Sequence, residues 1–133
     1  MTLVVDASVA ALWALEQEGS PRALTLRTQG GLIAPSLIAA EIGSAIWKAV
    51  RRGAVAPADA LIAIQSALLP FEALMPTEEL RVRALALAIE LRHPIYDCFY
   101  LALAERESCA LITADRRLMA AANTVKGIEL RAL

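Results

Sequence analysis

The chain has 133 residues, 58% hydrophobic and 20% charged, which is room for one domain (residues 1–133) and excludes a second. That composition offsets the entropy of ordering and excludes extensive disorder, and apolar runs broken at Asp59, Pro70 and Glu72 stay short of the ~18 residues that a membrane span needs. Thirteen Lys and Arg against fourteen Asp and Glu give a net charge of -1, so total charge does not announce a nucleic-acid binder and any basic surface must be local.

The opening Met-Thr-Leu-Val-Val-Asp has no basic stretch and reaches a carboxylate at position 6, which argues against a signal peptide and for a cytoplasmic protein with no membrane association. Leu3-Val4-Val5 reads as a short buried parallel strand ending at Asp6. Ser8 is the expected cap of a helix through about residue 16, and Pro21 suits the first turn of another that runs to about residue 29, before Gly30-Gly31. Leu32-Ile33-Ala34 is a second strand. Pro35-Ser36 then open a long helix in which Ile38, Ile42, Ile46 and Val50 recur every four residues, stopped at Gly53 after Arg51-Arg52.

Residues 57–68 read as a helix ending before Pro70, and residues 71–75 as a short third strand. Thr77 is the expected N-cap of a helix to about residue 92, which His93-Pro94 separates from a helix over residues 95–107. Residues 110–113 form a strand, Asp115 opens a short helix to about residue 122, and residues 128–130 form a last strand. Alternation of strands with helices indicates an α/β domain with a mainly parallel sheet, whose site belongs at the carboxyl ends of the strands. Cys98 and Cys109 form no C-x-x-C pair and sit among apolar residues, as reduced thiols do.

Four acids fall where such a site would be. Asp6 follows the first strand, Asp115 lies two residues past Thr113, Glu41 is offset from the isoleucine stripe of the long helix, and Asp97 occupies the first turn of an apolar helix. Each has an ordinary reading as a cap or a solvated helix residue; together they form a pattern. An acid among Ile95, Tyr96, Phe99, Tyr100 and Leu101 needs compensation by a cation or by hydrogen-bond donors. Carboxylates without histidine ligands suit a hard divalent ion, Mg2+ or Mn2+, better than zinc.

The segments V-V-D-A-S (residues 4–8), A-P-S-L-I-A-A-E-I (34–42), H-P-I-Y-D-C-F-Y-L-A-L-A-E (93–105) and L-I-T-A-D-R-R-L (111–118) resemble the PIN-domain nucleases, and among them the VapC-type toxins of toxin–antitoxin pairs, nearly end to end. The resemblance implies a PIN-like three-layer α/β/α domain around a central, mainly parallel sheet of four to five strands. It implies a Mg2+- or Mn2+-dependent endoribonuclease that acts as the toxin of a type II toxin–antitoxin system, cuts single-stranded or looped RNA, forms a homodimer and is blocked by a cognate antitoxin. By the same resemblance Asp6, Glu41, Asp97 and Asp115 are the catalytic and metal-binding acids, supported by Ser8 and Thr113. Ser44 stands where the family often has asparagine, in an E-x-x-N pattern, which keeps a hydroxyl and loses an amide.

Lys48, Arg51 and Arg52 follow Glu41 on its helix and Arg116-Arg117 follow Asp115, as candidate contacts to phosphates flanking the cut. Trp13 and Trp47 are expected in core or interface packing, and His93 as a cap or packing residue. Two other readings compete. An aspartate-based phosphotransferase would use Asp6 as nucleophile, but Ser8 replaces the second acid of its D-x-D pattern and no lysine follows a late strand. A non-catalytic module would keep the acids only to dock a basic partner.

Overall fold

The computed structural model describes residues 1–15 and 20–133. Five strands, β1 (Leu3–Val5), β2 (Leu32–Pro35), β3 (Phe71–Met75), β4 (Ala110–Thr113) and β5 (Leu130–Ala132), form one parallel sheet in the order β3-β2-β1-β4-β5. The helices are α1 (Ala7–Ala14), α2 (Ser20–Arg27), α3 (Ile38–Arg51), α4 (Pro57–Leu68), α5 (Arg81–Leu91), α6 (Ile95–Glu107) and α7 (Arg116–Ala122). The expected α/β architecture with a parallel sheet is what the chain adopts.

Alternation along the strands builds the layers. Leu3 and Val5 of β1, Leu32 of β2 and Ala110 and Ile112 of β4 share one buried cluster with Val9 and Leu12 of α1 and Ala23 and Leu26 of α2. Val4, Ile33 and Leu111 belong to the other cluster, with Tyr100, Leu101 and Leu103 of α6, Ala84 and Leu87 of α5, and Leu118 and Ala122 of α7. The chain pairs β1 with β2 and β2 with β3 on one side, then returns to pair β4 with β1 on the other. That reversal between β1 and β4 leaves a crevice at the carboxyl ends of the strands.

Most differences from the sequence-based boundaries have a local cause. Asp6, not Ser8, caps α1, because its Oδ1 accepts from the Ser8 and Val9 N–H groups. The expected end of that helix at residue 16 lies outside the described residues. α3 starts at Ile38 because Pro35 still pairs in register with Met75 and Ser36 turns aside to bond the Thr77 hydroxyl at 2.9 Å. Thr77 in turn accepts from the Leu37 N–H at 2.8 Å, so it does not cap its own helix; a 3₁₀ turn over Thr77–Glu79 precedes α5. On α3 the buried stripe is Ile38, Ile42, Ile46 and Ala49, with Val50 rotated to its edge, as a 3.6-residue period requires. β5 begins two residues later than expected, where Leu130 lines up with Leu111.

Gly31 is required as glycine. Its φ is +68°, and a Cβ there would sit 2.1 Å from the Met1 carbonyl oxygen, just where the Gly31 carbonyl accepts from the Leu3 N–H at 3.0 Å. Among the described residues no helix is long and apolar enough to cross a membrane. Both cysteines are free thiols; burial pushes Cys98 up to about 11 and raises Cys109 as well.

Candidate active site

Asp6 is the organising residue of the carboxyl edge. β1 delivers it to the crevice only 3% exposed, and each of its oxygens is bonded. Oδ1 accepts from the Ser8 N–H (3.0 Å), the Ser8 hydroxyl and the Val9 N–H (3.3 Å), while Oδ2 accepts from the Thr113 hydroxyl. Burial pushes its pKa up to about 6 even against those donors, with the charge of Asp97 adding to the rise. Thr113 links the two central strands: its Oγ1 also accepts from the Asp115 N–H at 2.9 Å. Ser8 joins the same net, 3.3 Å from the Thr113 hydroxyl and accepting from the Ala114 N–H at 3.0 Å.

Asp115 caps α7, its Oδ1 accepting from the Arg117 N–H at 2.8 Å and the Leu118 N–H at 3.4 Å. That placement agrees with the expected helix start and ties the acid to Asp6 through Thr113. Glu41 lies in the first turn of α3 and its Oε1 accepts from the Tyr100 hydroxyl of α6 at 2.6 Å. Burial raises the Glu41 pKa, the Tyr100 bond opposes that, and Asp97 raises it further. Asp97 meets the Nε2 of His93, one turn earlier, at 2.6 Å; their side chains are 26% and 10% exposed.

Asp6 and Glu41 therefore both feel the charge of Asp97, and the backbone N–H of Asp115 is joined to Asp6 through the Thr113 hydroxyl. Among the described residues no three carboxylate, histidine or cysteine side chains converge at ligating distance. The donor set nevertheless fits a hard cation. It consists of oxygens, Oδ2 of Asp6 accepts one bond among the described residues, and Mg2+ is commonly held by one or two carboxylates with waters filling its octahedron. A cation would also relieve the desolvation that raises Asp6.

This arrangement of acids around a parallel sheet of this order has a sequence counterpart: the model of the PIN domain family matches residues 3–123. The chain belongs to the PIN-domain family. It is 34% identical over 121 residues to the "Ribonuclease VapC3" of Pyrobaculum aerophilum, covering 89% of this chain and 92% of that one. It is 37% identical over 118 residues to the "Ribonuclease VapC9" of Mycobacterium tuberculosis, 87% of each chain being covered. A solved structure, that of PAE2754 from Pyrobaculum aerophilum, superposes with a TM-score of 0.73 at 27% identity, over 98% of this chain and 89% of that one.

Two residues of this PIN domain that bear on the acids escaped the sequence reading. Tyr100 belongs to the core by burial, yet its hydroxyl holds Glu41, and burial together with that carboxylate pushes the phenol pKa far up, so it donates at every working pH. His93, a cap or packing residue by sequence, does pack at the break before α6, but it also bonds Asp97. The i,i+4 spacing of His93 and Asp97 was the available signal. Of the basic candidates, Arg116 and Arg117 are exposed in the first turn of α7 beside Asp115. Lys48 and Arg51, on the last turn of α3, recede from Glu41, Arg51 by roughly 15 Å along the axis. Arg51 instead lies 5.0 Å over the ring of Trp47, which is 55% exposed and outside the core, and Arg52 follows it, exposed. Trp13 does pack in the core, donating to the Ala23 carbonyl at 2.6 Å. Ser44 is exposed one turn beyond Glu41.

Proposed function

We propose that this chain is a divalent-metal-dependent endoribonuclease, the toxin of a type II toxin–antitoxin pair, with Asp6, Glu41, Asp97 and Asp115 as its catalytic and metal-binding acids. The reading is carried by the Ser8–Thr113 hydroxyl net, which joins the Asp6 carboxylate at the end of β1 to the backbone N–H of Asp115 past the end of β4, where the strand order reverses. The names of the VapC relatives support the substrate class.

A bound Mg2+ or Mn2+ would neutralise charge on the phosphodiester and make a water more acidic, in line with the leaving oxygen. The protein's own contributions are positional. Asp6, fixed by four donors, would provide the central ligand oxygen, with Asp97, held by His93, and Asp115, held at the α7 cap, completing the set. Glu41, steadied by Tyr100, binds the ion or orients the attacking water. Arg116 and Arg117, beside Asp115, attract the flanking phosphates, while Lys48, Arg51 and Arg52, at the far end of α3, act only on RNA farther from the cut.

The phosphotransferase reading loses ground because Asp6, its nucleophile, is buried with both oxygens bonded. A homodimer and an antitoxin partner belong to the same proposal; exposed Trp47, Leu61 and Ile62 around α3 and α4, and Val82, Leu85 and Ile89 on α5, provide apolar surface for protein contacts. The test is cleavage of total RNA by purified protein. Cutting should require Mg2+ or Mn2+ and disappear in Asp97→Asn. Equal cutting in excess EDTA, or none with any divalent ion, would overturn the reading.

A further inference from the structure

A cleft of about 660 Å3 opens beside the acids, at the carboxyl ends of β4 and β5. Asp115, Thr113 and Arg116 of the chemistry above line one side of it, while Leu12, Arg22, Met119 and Ala132 have no role there. The cleft is lined by apolar Leu12, Met119 and Ala132 and by Arg22 and Arg116, with Asp115 at one side. The two arginines come from opposite layers, since α2 packs on the face of Leu3 and Val5 while α7 packs on the face of Val4 and Leu111. Arg22 is tethered at the cleft, Nη1 donating to the Leu133 carbonyl at 3.3 Å.

Concave, largely apolar cavities of ~300–1,000 Å3 with a few convergent polar groups are where small ligands bind. Here the polar residues are Thr113, Asp115 and two arginines, whose planar cations pair with phosphate oxygens and also stack on base faces. An occupant with a flat apolar body and a phosphate uses both the apolar wall and the two arginines, whereas a purely apolar ligand would use the wall alone. Asp115 ties the cleft to the acid cluster through the Thr113 hydroxyl.

We propose that this cleft is the subsite for the nucleotide next to the scissile phosphodiester, its base against Leu12, Met119 and Ala132 and its phosphate between Arg22 and Arg116. The placement next to the cut rests on the nuclease reading; nucleotide binding in the cleft does not. A base must leave any duplex to enter, so the cut falls beside an unpaired position.

The test has a binding arm and a cleavage arm. Adenosine monophosphate and, separately, inorganic phosphate are titrated into the metal-free wild-type chain while backbone amide signals are followed, and both are repeated with Arg22→Ala and with Ala132→Trp, which fills the cleft. The monophosphate should move the signals of Ala114, Met119 and Ala132, and each variant should weaken it about tenfold. Phosphate alone should bind about tenfold more weakly and ignore Ala132→Trp. On a short single-stranded RNA, Arg22→Ala should raise KM about tenfold with kcat within about threefold. Unchanged melting of both variants separates these effects from misfolding. Monophosphate shifts elsewhere, or a KM unmoved by Arg22→Ala in a chain that cuts RNA, overturn the subsite. Phosphate binding as tight as the monophosphate overturns its base-binding half. A chain that binds the monophosphate here but cuts no RNA overturns the nuclease reading and leaves a nucleotide site.

Discussion

Replacing Asp6 by asparagine should stabilise the metal-free protein at pH 8 while abolishing cleavage. Burial raises this carboxyl from the ordinary 3.8 to about 6, so the folded state binds the proton more tightly than the unfolded chain does. The contribution therefore favours folding at low pH and is lost as pH rises through about 6; above that, ionised Asp6 costs the fold on the order of 3 kcal/mol. Asparagine removes that cost. It can still accept from the Ser8 and Val9 N–H groups, but its amide turns a donor toward Thr113, whose hydroxyl now donates to Asp6, at a loss of about 1 kcal/mol. The balance is roughly 2 kcal/mol at pH 8, or a Tm higher by roughly 5–10 °C for a domain of this size. At pH 4.5 the carboxyl is largely protonated in the folded state, its remaining cost is about 1 kcal/mol, and the two proteins should melt together. Saturating Mg2+ should reverse the order, because a ligand at a hundredfold excess over its Kd adds about 2.7 kcal/mol to the wild type alone. Calorimetry in EDTA at both pH values and in Mg2+ measures all of this. A variant that melts below wild type at pH 8 in EDTA refutes the reasoning, since Asp6 would then act as a stabilising cap.

Tyr100→Phe keeps the buried ring and deletes the hydroxyl on Glu41; it should lower kcat about tenfold and raise the Mg2+ needed for half-maximal rate, with KM for RNA little changed in steady-state assays. Thr113→Val is similar in shape but strips a donor from Asp6 and an acceptor from the Asp115 N–H, so chemical denaturation should show a loss of about 2–3 kcal/mol and cleavage should fall with it. Gly31→Ala should lower Tm by several degrees without changing the Mg2+ dependence of the remaining folded enzyme, because a methyl group cannot share space with the Met1 carbonyl; an unchanged Tm would contradict the close approach.

What could be read before the structure was local. The run Leu3-Val4-Val5 followed by an acid, the helix between Pro57 and Pro70, and Asp115 before Arg116-Arg117 each carry their own start or stop signal, and the structure keeps all three. What escaped depends on partners distant in sequence. Thr77 looks like an ordinary cap until Ser36 and Leu37, some forty positions away, claim its side chain. Tyr100 sits in an apolar helix face and reads as core; nothing local reveals that Glu41, 59 residues earlier, accepts its hydroxyl. Arg22 lies in a weakly patterned helix whose relation to β5 exists only after folding. The four proposed acids are legible in the sequence because the proposed chemistry needs their identity, whereas the residues bonded to them are not, because many side chains can do that work.

The bond from Thr113 to Asp6 closes a loop of 107 positions. Pairings so distant form late, since the chain must first lose the entropy of bringing its ends together. A ribosome adding about 5–20 residues each second needs about 5–20 seconds to go from the first of these residues to the second. During that interval the nascent chain carries Asp6 and Glu41 but neither the strand nor the hydroxyl that completes their surroundings. A nuclease built this way cannot attack RNA near its own ribosome until nearly all of its length has been made, and that delay gives any inhibitor present a folded target at the moment activity begins.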